Sequence, residues 1–141
     1  MGRTLHRFGL LPRDHTEITS ATDLTGEYIG QTKERVRKTM EAARGGVLFI
    51  DEAYELGAAS NQYSTEAMTT LLGMLTEDEF ADGNTLVILA GYEEQMDAMM
   101  ARNPGLKSRF TERLHFDDWD SLHPIRCRAS REEREAVSVF D

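Results

Sequence analysis

The chain has 141 residues, of which 40% are hydrophobic and 29% charged, a composition typical of one soluble globular domain. Twenty-five acidic against sixteen basic residues give a formal net charge of -9, which argues against a nucleic-acid-binding face. No apolar run approaches the roughly 20 residues of a membrane helix, and one cysteine excludes an internal disulfide. No secretory signal is visible, so we expect a cytoplasmic protein without membrane or nucleic-acid partners.

The first third of the chain predicts two helical segments and one strand. Residues 1–11 place apolar side chains at helical spacing before a proline, as at the end of a helix. A β-branched stretch over residues 16–20 predicts a short strand. Residues 31–44 carry apolar residues at i, i+4 and i+7, which predicts an amphipathic helix closed by two glycines.

Two continuous apolar runs, over residues 47–50 and 86–90, predict strands buried on both faces of a parallel sheet. Helical periodicity follows each of them, over residues 64–80 and 92–102, and a further strand is expected over 113–116. This alternation predicts an α/β fold, a parallel sheet flanked by helices, whose ligands bind beyond the carboxyl ends of the strands.

The composition changes after residue 120. We therefore expect a core domain over residues 1–120 and a divergent C-terminal tail over 121–141, with a possible short helix over 131–137.

Asp51 and Glu52 directly follow the first buried strand. Mg²⁺ accepts one or two carboxylates beside waters and phosphate oxygens, which suits Asp51 as a ligand, often through water. Glu52 would then orient or deprotonate the attacking water. The alternative is a surface strand that merely ends in Asp-Glu, and the apolar strand bounded by glycine in front favours the phosphate-chemistry interpretation.

The segment GVLFIDEAYEL resembles the Walker B strand of AAA+ ATPases. The segments GEYIGQT, TEAMTTLLGMLTED, VILAGY and NPGLKSRF are similar to the group of that family containing the red-type rubisco activase CbbX and stage V sporulation protein K. The resemblance covers nearly all of residues 10–120. It implies ATP and Mg²⁺ as cofactors and ATP hydrolysis coupled to protein remodelling. It also implies a hexameric ring of AAA+ subunits and a protein substrate in its pore.

Tyr28, Ile29 and Gly30 match the aromatic pore-loop position, at which a ring of tyrosines grips the substrate. A tyrosine between glycines suits this role, because it offers a large apolar surface on a mobile hinge. The alternative is an ordinary loop aromatic.

Arg109 resembles the arginine finger, which reaches the γ-phosphate bound by the neighbouring subunit. A planar guanidinium can neutralise transition-state charge there. The alternative is a solvated arginine, and Arg102 and Arg113 are nearby candidates. Tyr92 lies near the position of a sensor residue for the γ-phosphate, where the commoner asparagine is absent, so simple packing is its alternative.

The phosphate-binding motif GxxxxGK[ST] is absent from the sequence, because none of its three lysines follows a glycine. The family places this loop and its strand before the helix that ends within residues 1–11. We therefore expect the chain to begin just downstream of the phosphate site and to lack strand 1. The helical lid is also expected to be missing, since residues 121–141 do not resemble it.

The family strand order 5-1-4-3-2 implies a gap between the strands at residues 86–90 and 113–116. Unpaired edges inside a sheet invite association. We predict a marginal domain that self-associates or closes the gap by pairing these two strands directly.

Three functional interpretations follow. The first is an AAA+ ATPase-type domain, incomplete in this chain, so that its being an enzyme stays undecided. The second is a catalytically inert truncated fragment or interaction module that contacts AAA+ subunits without binding ATP. The third, an unrelated α/β binding domain, requires all the motifs to coincide by chance.

Overall fold

The computed structural model describes residues 2–26, 30–58, 62–77, 80 and 84–116, and the backbone of residues 135–140. The helices are α1 (Gly2–Arg7), α2 (Ala21–Leu24), α3 (Gln31–Ala43), α4 (Gln62–Met74), α5 (Glu93–Arg102) and α6 (Pro104–Lys107), with a 3-10 turn at Ala53–Gly57. The strands are β1 (Thr16–Ser20), β2 (Val47–Asp51), β3 (Leu86–Tyr92), β4 (Glu112–Phe116) and β5 (Glu135–Phe140). Within these ranges, no helix has both the length and the apolar character needed to span a membrane.

Two predicted helices end earlier than their apolar periodicity suggests. The helix α1 stops at Arg7 because Gly9 adopts a left-handed conformation with φ 74°, and the Leu10 N–H donates to the Leu5 carbonyl at 3.0 Å. The helix α4 ends at Met74, after which the Thr76 and Glu77 N–H groups donate to carbonyls three residues back, those of Gly73 and Met74, at 3.0 Å each. Both helices therefore end in locally bonded turns while apolar residues continue.

The five strands form one sheet in the order β1-β2-β3-β5-β4. The strands β1, β2 and β3 pair in parallel, as predicted for a buried α/β sheet. The strand β5 pairs antiparallel with both β3 and β4, so β4 runs in the same direction as β3. One reversed strand therefore lies inside a sheet whose other strands share a single direction.

The predicted direct pairing across the gap is wrong. The position that the family order gives to strand 1 is filled by β5, in which Val137 is the register partner of both Ala90 and Leu114. The predicted short helix over residues 131–137 is also wrong for residues 135–137, which are extended. The facing edges of β3 and β4 offer backbone N–H and C=O groups that need hydrogen-bond partners. Pairing with both edges stabilises residues 135–137 as a strand, and this outweighs their weak helical preference.

The two faces of the sheet are covered unequally. One face packs under α3, α4 and α5, and its sheet residues are Leu48, Ile50, Val87 and Leu89. The other face packs mainly against α1 and the turn after it, through Leu5 and Leu11, and its buried sheet residues are Val47, Ile88 and Ala90. Each fully buried aliphatic side chain contributes about 1.5–3 kcal/mol. The helical face therefore holds β2 and β3, and with them the carboxyl edge of the sheet, in place.

Candidate functional site

The carboxyl end of β2 carries the two predicted acidic residues. Asp51 is the last residue of the strand, opposite Ser20 of β1, and Glu52 follows it. Both residues are exposed, and the Glu52 N–H donates to Asp51 Oδ1 at 2.9 Å. The pair therefore lies at the sheet edge where open parallel sheets bind ligands.

Glu52 has an unusual backbone conformation. It is the one non-glycine residue with positive φ in the part of the chain that the structure describes, at φ 50° and ψ 37°. This left-handed conformation costs a non-glycine residue about 1–2 kcal/mol. The Glu52 carbonyl accepts a bond from the Glu55 N–H at 2.9 Å, which starts the 3-10 turn. The chain thus turns sharply at the end of β2 and leaves Glu52 at the lip of the sheet.

Tyr54 also belongs to this site, although no sequence motif indicated it. Its hydroxyl donates to Glu52 Oε1 at 3.5 Å, and its ring centroid lies 6.2 Å from that of Tyr92. Burial raises the pKa of the Tyr54 phenol above its ordinary value of 10.0, and the charges of Glu52 and then Glu55 raise it further. The only sequence signal was an aromatic residue two positions after the Asp-Glu pair.

Gly91 and Tyr92 at the end of β3 complete the cluster. A Cβ on Gly91 would lie 2.7 Å from Tyr54 Cδ1, so a glycine is needed where the Tyr54 ring approaches. Tyr92 is 50% exposed and occupies the N-cap position of α5. The predicted Asp51, Glu52 and Tyr92 are therefore brought to one edge of the sheet, with Tyr54 between the last two.

Arg109 lies just after α6, in a different part of the domain. Its guanidinium is partly buried and donates to the Gly105 carbonyl at 2.9 Å. Of the two alternative arginines, Arg113 forms an ion pair with Asp97, and Arg102 donates to the Gly57 carbonyl at 3.4 Å. No contact described in the structure brings Arg109 to Asp51 or Glu52.

The predicted pore residues Tyr28 and Ile29 lie outside the described residues, and Gly30 is the first residue described after them. Gly30 is exposed, adopts φ 89° and precedes α3. On the other side, the Gly26 N–H donates to the Thr32 hydroxyl at 2.9 Å. Gly26 and Gly30 are therefore both positioned at the first turn of α3.

The residues at this edge suit a metal ion better than a triphosphate. Two exposed carboxylates, Asp51 and Glu52, match the one or two that Mg²⁺ takes beside waters and phosphate oxygens. A larger cluster of three or more His, Cys, Asp or Glu residues is absent from the described residues. The strand β5 starts at this edge with Glu135, paired with Tyr92 and Phe116, instead of ending there and leading into a phosphate-binding loop. The strand β5 therefore does not supply the phosphate-binding part of a nucleotide site.

The described residues thus form an open α/β sheet with an exposed Asp-Glu pair at the carboxyl end of the interior strand β2. Residues 13–118 match the family described as "ATPase family associated with various cellular activities (AAA)", and the chain belongs to this family. Membership implies the use of a nucleotide and Mg²⁺ in general.

Several relatives align with most of the chain. Protein CfxQ from Xanthobacter flavus is 38% identical over 127 residues, 89% of this chain and 39% of that protein. Protein CbbX from Cereibacter sphaeroides is 37% identical over 121 residues, 84% of this chain and 38% of that protein. The chloroplastic cbbX homologue from Guillardia theta is 34% identical, over 99% of this chain and 39% of that protein. The chain therefore spans about two fifths of the length of these curated relatives.

Proposed function

We propose that this AAA+ ATPase-type domain supplies the metal and water side of an ATP site. Asp51 would hold Mg²⁺, through water, and Glu52 would orient the attacking water at the end of β2. Bound Mg-ATP would supply the γ-phosphoryl group that this water attacks. The observation that supports the proposal most directly is the exposure of both carboxylates at the carboxyl edge of the parallel strands.

We also propose that the domain works within a ring of AAA+ subunits. Arg109 would reach the nucleotide of the neighbouring subunit, and Tyr28, Ile29 and Gly30 would contact a protein substrate in the pore. Tyr92, half exposed beside the Tyr54–Glu52 pair, would read the presence of the γ-phosphate. The proposed role of Arg109 rests on its place in the segment NPGLKSRF, and its guanidinium donates to the Gly105 carbonyl of α6 in this chain.

The second candidate is an interaction module that contacts AAA+ subunits without binding ATP. The observation that favours it is the reversed strand β5, which fills the position of the phosphate-loop strand. The sequence also lacks the GxxxxGK[ST] motif, whose glycine amides and lysine would bind the phosphates of a nucleotide.

Calorimetric titration of Mg-ATP separates the two candidates. Binding by the purified chain with a Kd on the order of micromolar, weakened in Asp51→Asn, would contradict the inert module. Glu52→Gln should keep that binding, because it removes the water-orienting carboxylate and leaves Asp51 intact. No heat from the wild-type chain at millimolar nucleotide would contradict ATP binding by these 141 residues alone.

A mixing experiment tests the role of Arg109 independently of ATP binding by this chain. An intact relative whose own arginine finger is replaced by alanine should regain ATP turnover when this chain is added. Such fingers contribute on the order of 10³-fold or more to the rate. The Arg109→Ala chain should give no recovery, and the Arg102→Ala chain, as the control, should act like wild type. Equal recovery with both variants would contradict the assignment.

A further inference from the structure

Tyr54 makes contacts on both sides of the acidic edge. Its hydroxyl donates to Glu52 Oε1, and its ring lies over Gly91, where a Cβ would approach Cδ1 to 2.7 Å and Cε1 to 3.1 Å. The Tyr92 ring lies 6.2 Å away at a tilt of 35°, a usual geometry for an aromatic pair. Tyr54 therefore bridges the end of β2 and the end of β3.

The backbone of Glu52 limits where its side chain can go. It is held in the left-handed region, with its N–H bonded to Asp51 and its carbonyl to Glu55. The side chain itself is exposed, and exposed glutamates ordinarily sample several rotamers. The Tyr54 hydroxyl, at 3.5 Å, is at the outer limit of a hydrogen bond, so it suits orientation more than strong binding.

We propose that Tyr54 is a positioning residue, which holds the Glu52 carboxylate in one rotamer and links it to the Gly91–Tyr92 end of β3. The inference rests on the proposed role of Glu52 in orienting water. A displacement at the end of β3 moves the Tyr54 ring, and with it the hydroxyl that Glu52 contacts. Tyr54 thereby makes the orientation of Glu52 depend on the state of the neighbouring strand.

The rotamer of Glu52 can be measured directly, without nucleotide. The Hα–Hβ three-bond couplings of Glu52 should indicate one dominant rotamer in the wild-type chain and averaged rotamers in Tyr54→Phe, which keeps the ring and removes the hydroxyl. Glu55, exposed on the same turn, is the internal control and should be averaged in both. Averaged Glu52 couplings in the wild-type chain, or unchanged couplings in Tyr54→Phe, would overturn the proposal.

The contact between the Tyr54 hydroxyl and the charged Glu52 carboxylate is tested by a pH titration of the tyrosines, followed by NMR in protein labelled with ¹³C at tyrosine Cζ. Glu52→Gln should lower the titration midpoint of Tyr54, because the Glu52 charge raises the pKa of this phenol more than the Glu55 charge does. Glu55→Gln removes the other charge without touching the hydrogen bond, and should lower the midpoint less. Tyr54→Phe assigns the signal. An equal or larger effect of Glu55→Gln would overturn the Glu52 contact.

The link to β3 is tested by Gly91→Ala, whose added methyl group should displace the Tyr54 ring and average the Glu52 rotamer. Gly73→Ala is the matched control, because nothing lies within 4 Å of its Cβ position. Circular dichroism checks the fold, and Tyr92→Ala tests the same link should Gly91→Ala unfold. Unaltered Glu52 couplings in the folded variants would overturn the link. None of these readouts involves ATP, so failure of the proposed ATP chemistry would leave them unchanged and be recognised separately.

Discussion

At the scale of single residues, the site combines backbone strain with exposed charge. The backbone of Glu52 has a φ of 50°. Glycine would adopt this value without strain, whereas glutamate does not. Its carboxylate is exposed and contributes little to packing. The conformation therefore lowers stability and brings an acidic group to the sheet edge, a pattern frequent at functional positions.

Replacing Glu52 by glycine should show how much stability the left-handed backbone at this position costs. We expect the free energy of unfolding of Glu52→Gly to be unchanged or to rise by up to about 1 kcal/mol, because the left-handed strain is relieved. Urea denaturation measures this. Glu55→Gly, at a neighbouring turn position with ordinary φ, should instead lose roughly 0.5–1 kcal/mol. A marked loss of stability in Glu52→Gly would show that the Glu52 side chain supports the fold.

Tyr54 should make stability depend on alkaline pH. Its folded-state pKa is raised above 10.0 by burial and by the Glu52 charge, so the protonated phenol is favoured in the folded state. This contribution is fully present below pH 10 and is lost as the pH rises through the folded-state pKa. The free energy of unfolding of Tyr54→Phe should therefore fall less steeply than that of wild type above pH 10. Parallel curves in urea denaturation would contradict this.

At the scale of elements, the sequence predicted what local patterns determine. Continuous apolar runs identified β2 and β3, and helical spacing identified α3, whose Val36, Met40 and Ala43 are all buried. The strand β5 was missed because its extended conformation depends on two strand edges that are distant in sequence. The position of Tyr54 was missed for a similar reason, since its contact with Gly91 exists only once β3 lies beside β2.

A proline inside β5 should disrupt the pairing of β5 with β3 and β4 and leave the pairing of β1 with β2 intact. Val137→Pro removes a backbone donor from a strand with neighbours on both sides, and a group left unpaired costs about 1–3 kcal/mol. Hydrogen exchange should therefore become faster in β3 and β4, and stay unchanged in the β1–β2 pair. Val137→Thr, which keeps the N–H, is the control. Uniformly faster exchange throughout the sheet would contradict this local opening.

At the scale of the whole molecule, the sheet ends in two strands with exposed apolar side chains. Ile18 of β1 is 71% exposed, and Leu114 and Phe116 of β4 are 42% and 51% exposed. Within the described residues, β1 and β4 each pair on one side only. Outer strands of this kind are templates for association, while the net charge of -9 opposes it.

We therefore expect self-association that increases with protein concentration and with salt, because salt screens the repulsion between negatively charged copies. Sedimentation velocity should show less of it in Phe116→Lys, which places a charge on the outer strand. Phe8→Lys removes an exposed aromatic residue away from the sheet and should have little effect. A strictly monomeric wild-type chain at high salt, or equal effects of both variants, would contradict association through β4.

The interior position of β5 also governs the order in which a ribosome can complete this sheet. Of the five strands, β5 is synthesised last, yet it separates β3 from β4, which are both made earlier. At about 5–20 residues per second, the stretch from the end of β4 to the end of β5 takes on the order of seconds to emerge. During that interval β5 cannot yet form the hydrogen bonds that it makes with β3 and β4 in the folded sheet, so the sheet reaches its described strand order only after the last of the described strands has emerged.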